Sequence, residues 1–291
     1  MSAKILDGNL LATQIKQDVQ SRLTAHAASG RRVYLAAVLV GSTPAGELYA
    51  KRQQQACALV GIDYQLVTLP ADSSAGDVEQ TIRRLNLDSS VTGIMLHLPL
   101  PPGMDATELQ YAIDPRKDVE GVNPANIGHV VYGHTLIAPC TAQAVIELIA
   151  ASGIPLRGAE AVVVGASEIA GKPIALLLAE RWATVTLCHV ATRDLAVHTR
   201  RADVLVVAAG KPELIQASHV RPGAVVIDVG INRVKSADGT TKTVGDVDFE
   251  KVRDVAGWLT PVPGGVGPMT VAMLLKNTLR SAELFWAARS A

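Results

Sequence analysis

Short, mostly apolar runs recur along this chain, alternating with segments of helical length, and this pattern limits the fold more than any other feature. Val33 to Val40 reads VYLAAVLV and stops at Gly41; Thr92 to Leu98 is TGIMLHL, Val204 to Val207 is VLVV, and Ala224 to Val229 is AVVIDV. A strand built from such a run has no polar face, so it must be covered on both sides. Parallel strands joined by crossover helices meet that demand, which predicts an α/β fold. At 291 residues the chain has room for two domains.

The intervening segments carry helix and turn signals. Thr43-Pro44 predicts an N-cap and first helical position, opening a helix that Gly61 ends. Tyr64 to Leu69 predicts a strand, Ala75 to Leu87 a helix, and Asp114 to Thr135 a loop. A helix over about Thr141 to Ala151 leads into the second half. There Ala161 to Val164 and Thr184 to Leu187 read as strands and Ala170 to Arg181 as a helix. Lys235 begins an exposed hairpin or loop, KSADGTTK, and Val271 to Arg289 reads as a long terminal helix.

Composition narrows function. Lys plus Arg and Asp plus Glu each number 27, so no global field draws nucleic acid or an anionic membrane. The opening MSAKILDGNL has no continuous apolar signal region, and no later run approaches a membrane span. Cys57, Cys140 and Cys188 lie far apart without metal-type spacing. They read as reduced thiols of a cytoplasmic protein with no metal site.

Two segments carry chemistry. VVVGASEIAGKP, from Val162 to Pro173, is a strand, a glycine turn and a helix start, where free N–H groups and the helix dipole converge on phosphate. Its spacing, Gly165, Ser167 and Gly171, departs from G-x-G-x-x-G, and a tight turn explains the glycines equally well. Ser167 is placed either to donate to phosphates or to cap the helix at Ala170. No acidic residue ends the next strand, where Val190-Ala191-Thr192-Arg193 follows. Arg193 is the nearest cation for a 2′-phosphate, so the pattern leaves NAD and NADP both open. WLTPVPGGVGPMT, from Trp258 to Thr270, holds three prolines and three glycines. It encodes one shaped loop that lets a ligand approach the main chain, with Thr270 expected to cap the helix that follows.

In order along the chain, VGSTPAGELY, GIMLHLPLP, DPRKDVEGVNPANIG, PCT, VVVGASEIAGKP, GAVVIDVGINR, GDVDF and TPVPGGVGPMT resemble the methylenetetrahydrofolate dehydrogenase/methenyltetrahydrofolate cyclohydrolase family nearly end to end. The resemblance implies an N-terminal parallel αβα folate domain over 1–140, to which a helix over 271–291 returns. It further implies a Rossmann-like NAD(P) domain over 141–270 and a homodimer. The implied reaction passes hydride from a methylene-bridged tetrahydrofolate to NADP or NAD, then hydrolyses the methenyl product to formyltetrahydrofolate. Folate binding falls to Tyr49, which stacks on the folate, and to Glu120, Pro263, Gly264 and Gly265. Cofactor binding falls to Thr141, Gly165, Ala166, Ser167, Gly171, Val190, Ile231 and Thr270. The catalytic positions are those of Tyr49, Gln53 and His97.

Those positions depart from the family pattern. Gln53 stands where the family has the lysine of Y-x-x-x-K, His97 where it has the glutamine that supports that lysine, and Glu120 where it has the second aspartate of KDVDG. Asn123 and Ala142 replace a usual histidine and proline, and the arginine that NADP-binding members often carry near Ala166 or Val190 is absent.

Hydride loss needs no side chain to move a proton, only two rings held in orientation. Hydrolysis needs a group that exchanges protons near neutral pH, and Gln53 cannot titrate. Lys51 is no substitute, lying about 200° round a helix from Tyr49 while Gln53 shares its face; Lys51 and Arg52 read as a solvated flank. His97 either takes over as acid/base, with Gln53 hydrogen-bonded to one ring nitrogen, or only contacts substrate or fills space. The leading expectation is therefore a dehydrogenase with weak or absent cyclohydrolase activity. Its alternatives are a bifunctional enzyme using His97 and a non-catalytic folate- and dinucleotide-binding protein. Glu120 either pairs with pterin N–H groups or is a surface charge. Lys117 and Asp118 are expected to order their loop, Cys140 to be a buried thiol, and Asp228 to end a strand beside Gly230-Ile231-Asn232.

Overall fold

The computed structural model describes residues 2–41, 44–235 and 239–290. Its elements run β1 (Lys4–Ile5), α1 (Gly8–Ala28), β2 (Tyr34–Val40), α2 (Pro44–Val60), β3 (Asp63–Leu69), α3 (Ala75–Leu87), β4 (Gly93–Leu96), α4 (Ala106–Tyr111), α5 (Pro124–Val131) and α6 (Cys140–Ala151). They continue with β5 (Glu160–Val164), α7 (Gly171–Glu180), β6 (Thr184–Cys188), α8 (Leu195–Thr199), β7 (Val204–Val207), β8 (Val225–Asp228), β9 (Asn232–Lys235), β10 (Thr241–Val244), α9 (Phe249–Val252), β11 (Trp258–Leu259) and α10 (Val266–Ser290). Two compact units result, one of residues 14–138 with 274–291, the other of 1–13 with 139–273. Two of the three divisions fall inside α1 and α10, and the third lies between α5 and α6. No helix among the described residues is long and apolar enough to cross a membrane.

The first unit holds a three-stranded parallel sheet in the order β3-β2-β4. The run predicted from Val33 becomes the central strand β2, where every residue from Leu35 to Val40 is buried. Its residues Ala36, Val38 and Val40 pack with Val78, Ile82 and Leu85 of α3 and with Ile94 and Leu96 of β4. The Ser74 hydroxyl accepts from the Asp77 N–H while the Asp77 carboxylate accepts from the Ser74 N–H, a reciprocal cap that starts α3 where the sequence predicts it. The terminal helix does return here. The Asn277 amide donates to Val119 O at 2.9 Å and Ala138 O at 3.0 Å, and the Ser281 hydroxyl lies against the carbonyl oxygens of Thr92 and Arg116, with one proton to give them.

The second unit is a six-stranded parallel sheet in the order β1-β11-β8-β7-β5-β6. From β5 the chain steps outward to β6, then crosses back to β7 on the other side of β5. That reversal makes a crevice at the carboxyl ends of β5 and β7, where open α/β sheets bind ligands.

Several expectations need correcting. Residues 1–13 group with the second unit rather than with 14–138, because Lys4 and Ile5 pair with Trp258 and Leu259. The predicted loop from Asp114 to Thr135 contains α5, started by the Asn123 side chain, which accepts from the Ala125 N–H at 2.9 Å, and by Pro124 in the first turn. Thr270 caps nothing: α10 begins at Val266, since Pro268 is tolerated in a first helical turn, and the Thr270 hydroxyl donates to Val266 O at 3.2 Å. The predicted N-cap Thr43 lies outside the described residues, as do Ser236 to Asp238 of KSADGTTK. The flanks of that stretch form the antiparallel pair β9 and β10.

Candidate active site

In the first unit, α2 presents Tyr49 and Gln53 four residues apart on one face. His97 follows β4 and is anchored through its N–H to Val38 O at 2.8 Å. Gln53 is 5% exposed and His97 3%, whereas Tyr49 is half exposed, its ring edge-on to the imidazole at 5.6 Å between centroids. Lys51 and Arg52 are exposed.

The expected direct bond between Gln53 and His97 does not form. The Tyr64 hydroxyl, from β3, stands between them, 3.2 Å from Gln53 Oε1 and 3.4 Å from His97 Nε2. The Gln53 Nε2 faces Met95 Sδ. Sequence reading missed Tyr64 because its only signal there is one position in a half-exposed strand. Burial pushes the His97 imidazole below its ordinary range, so the ring is neutral at neutral pH.

Glu120 is not a surface charge. It is only partly exposed, its carboxyl takes the Leu96 N–H, and burial together with the Asp118 charge pushes it up to about 8. The preceding residues order the loop. The Asp118 carboxylate accepts from the N–H groups of Gly121 and Asn123 and from the Asn126 amide, and the Lys117 ammonium donates to Leu85 O, Asn86 O and Asp88 O at 2.7 to 3.0 Å.

In the second unit, a cavity of about 590 Å³ opens at the carboxyl ends of β5, β6 and β7. Gly165, Ala166, Ser167 and Val190 line it, as do His189, Thr192 and Lys211. Lys211 is therefore the lysine or arginine on this cavity, not Arg193. Gly165 has φ +113°, and a Cβ on Gly171 would overlap the Gly165 carbonyl oxygen, so the turn closes only with glycine at both positions. Ala170 precedes α7 without a side-chain cap; the Ser167 hydroxyl accepts weakly from the Gly171 N–H at 3.4 Å. Uncapped N–H groups at a helix start beside such a crevice fit a dinucleotide's phosphates.

A second cavity, of about 410 Å³, lies in the same unit. Ile231 lines it together with Pro263, Gly264 and Gly265, and so do Asn9 and Thr243, which sequence reading missed. Asp228 shapes its floor by accepting from the N–H groups of Gly230, Asp246 and Val247, each at 2.9 Å. Burial raises Asp228 to about 6. The Asp246 carboxylate in turn accepts from Ala209, Gly210 and the Asn232 amide. Thr141, in the first turn of α6, and Thr270 line neither cavity, and Cys140 is buried.

Comparison with known proteins agrees along the whole chain. Residues 6–120 match the catalytic domain of tetrahydrofolate dehydrogenase/cyclohydrolase, and residues 139–285 match its NAD(P)-binding domain. A relative from Bordetella petrii, "Bifunctional protein FolD", is 52% identical over 97% of this chain and 94% of its own length. The structure of the Campylobacter jejuni bifunctional enzyme FolD, 40% identical, superposes with a TM-score of 0.92 over 97% of this chain and 99% of its own. That of Trypanosoma brucei methylenetetrahydrofolate dehydrogenase-cyclohydrolase, complexed with NADP cofactor and inhibitor, is 37% identical with a TM-score of 0.90 over the full length of both. This chain belongs to the tetrahydrofolate dehydrogenase/cyclohydrolase family.

Proposed function

We propose that this chain is an NAD(P)-dependent methylenetetrahydrofolate dehydrogenase that also hydrolyses its methenyl product, with His97 exchanging the proton. The second activity reverses the leading expectation from sequence, and one observation carries it. A buried, neutral imidazole stands edge-on to Tyr49, one helical turn from Gln53. A neutral imidazole accepts protons where the glutamine amide cannot. The relatives that share about half of this sequence and are described as bifunctional support the same reading.

Folate binding is assigned to residues 14–138 with 274–290, through Tyr49 stacking on the pterin and Glu120 accepting its N–H groups. Nucleotide binding is assigned to residues 2–13 with 139–273. Gly165, Ser167 and Gly171 would hold the phosphates, and Ile231 with Pro263, Gly264 and Gly265 would offer backbone near the reacting rings. A bound nicotinamide supplies the hydride acceptor. The protein's part in that step is orientation, which needs no titrating side chain.

In the hydrolytic step water adds to the methenyl carbon and gives one proton to His97. The bond from that carbon to N5 then breaks, N5 takes the proton back, and the adduct's hydroxyl proton leaves as the formyl carbonyl forms. NADP is favoured over NAD, because among the described residues no carboxylate lines the nucleotide cavity while Lys211, His189 and Thr192 do. A homodimer and a cytoplasmic location complete the proposal, the latter supported by three buried free cysteines.

The deciding assay supplies methenyltetrahydrofolate directly and follows its decay above the spontaneous rate. Enzyme-dependent decay that His97→Ala reduces by about 10²-fold or more supports the assignment. Dehydrogenase turnover without any such decay would return the chain to the dehydrogenase-only reading that Gln53 favours.

A further inference from the structure

We infer that Tyr64 is a positioning residue that fixes the tautomer of His97, holding the proton on Nε2 and leaving the lone pair on Nδ1. The inference rests on the proposed role of His97, and it follows from counting protons along one hydrogen-bonded row.

A phenol hydroxyl has one proton to give and lone pairs with which to accept. Gln53 turns its NH₂ group toward Met95 Sδ, so its Oε1 faces the Tyr64 hydroxyl, 3.2 Å away. A carbonyl oxygen only accepts, hence the Tyr64 proton points to Gln53. The Tyr64 oxygen then meets His97 Nε2, 3.4 Å away, with a lone pair. Two lone pairs repel, so Nε2 must carry the proton. The row reads His97 Nε2–H to Tyr64 Oη–H to Gln53 Oε1. Because Gln53 has no titration of its own, the direction of the row does not reverse with pH.

The groups around the ring leave that direction undisturbed. Tyr49 meets the ring edge-on from α2 and Tyr64 approaches it from β3, while Cys57 of α2 acts on the Tyr64 phenol and Glu120, in the loop after β4, takes the N–H of Leu96, the residue before His97. Burial pushes the Cys57 thiol up to about 12 and raises the Tyr64 phenol, so both stay protonated at neutral pH. Glu120, at about 8, is mostly protonated there as well. None of these groups brings a full charge that would turn the imidazole over.

A lysine at position 53 would make the row run the other way. Its ammonium donates and cannot accept, so the hydroxyl would be free to donate to Nε2 and move the imidazole proton to Nδ1. With glutamine at 53, the tyrosine at 64 and the histidine at 97 form one consistent unit.

The test is side-chain ¹⁵N NMR of the full-length protein at pH 7 without added folate, the His97 signals being assigned by their loss in His97→Asn. Wild type should show the Nε2–H tautomer. Tyr64→Phe, which keeps the ring, should give a mixture of tautomers and lower the hydrolytic kcat by about tenfold at unchanged KM, a part of the roughly 10² to 10⁴ a positioned acid or base contributes. Gln53→Met, which removes the acceptor and frees the Tyr64 proton, should shift the population to Nδ1–H. An Nδ1–H tautomer in wild type, or an unchanged tautomer in both variants, overturns the inference. Absence of enzyme-dependent hydrolysis in wild type would refute the catalytic assignment of His97 instead, while the NMR populations would still decide the role of Tyr64.

Discussion

Raising the pH through 8 should tighten folate binding, and the size of the effect follows from Glu120. Burial and the Asp118 charge lift this carboxyl from an ordinary 4.5 to about 8. The proposed pairing with pterin N–H groups requires the ionised form, since a protonated carboxyl offers one acceptor oxygen and a misplaced donor. The competent fraction is about one in eleven at pH 7 and nine in ten at pH 9, so the apparent KM for folate should fall roughly tenfold between them. Steady-state dehydrogenase kinetics in a constant-ionic-strength buffer measure this directly, and Glu120→Gln should bind weakly with no such slope. Stability moves oppositely. A carboxyl whose folded value is raised contributes stability that is complete below about 4.5 and lost as pH rises through about 8, at most about 5 kcal/mol for this shift. Urea melts should therefore show Glu120→Gln gaining on wild type between pH 6 and pH 9. A KM that stays flat across this range in wild type, or a slope that survives in Glu120→Gln, would refute the assignment of Glu120 as the pterin's partner.

Three further outcomes test the remaining parts. Gly171→Ala places a methyl against the Gly165 carbonyl and should cost about 3 kcal/mol in urea unfolding while abolishing nucleotide binding measured by fluorescence titration. Lys211→Ala should raise the KM for NADP about tenfold and that for NAD far less, narrowing the preference between them. Lys117→Met strips three backbone carbonyls of their donor and should lower thermal stability by about 3 kcal/mol, read by calorimetry, without altering which nucleotide is used.

The fold was legible where local pattern and tertiary environment agree. Leu35 to Val40 and the VLVV run are buried because these strands are covered on both faces, and that demand is already visible in residues with no polar alternation. The capping pair Ser74 and Asp77 set the start of α3 by local bonds alone. Elements that depend on distant partners were not legible. Strand β1 has two residues and exists through β11, far away in sequence, while α5 was hidden in a segment whose asparagines and proline read equally as a turn. Thr270 was misread because a loop rich in glycine and proline gives no sign of where its last turn becomes helical.

The same division explains the site. Gly165 and Gly171 announce a tight strand-to-helix turn through backbone needs that no other residue meets, so the position of that turn could be read from the letters. Gln53 and His97 announced only that the usual lysine and glutamine were exchanged, which left hydrolysis in doubt. Their meaning depends on a third side chain from a different strand, and the spacing of α2 and β4 says nothing about Tyr64. Under the proposed proton row, with its hydroxyl between them, the two substitutions would stop being independent losses. In that row a fixed acceptor at 53 would orient the phenol, the phenol would orient the imidazole, and the imidazole would keep a lone pair for a proton. The proposed relocation of the activity would thus differ from its loss in the direction of a single O–H bond.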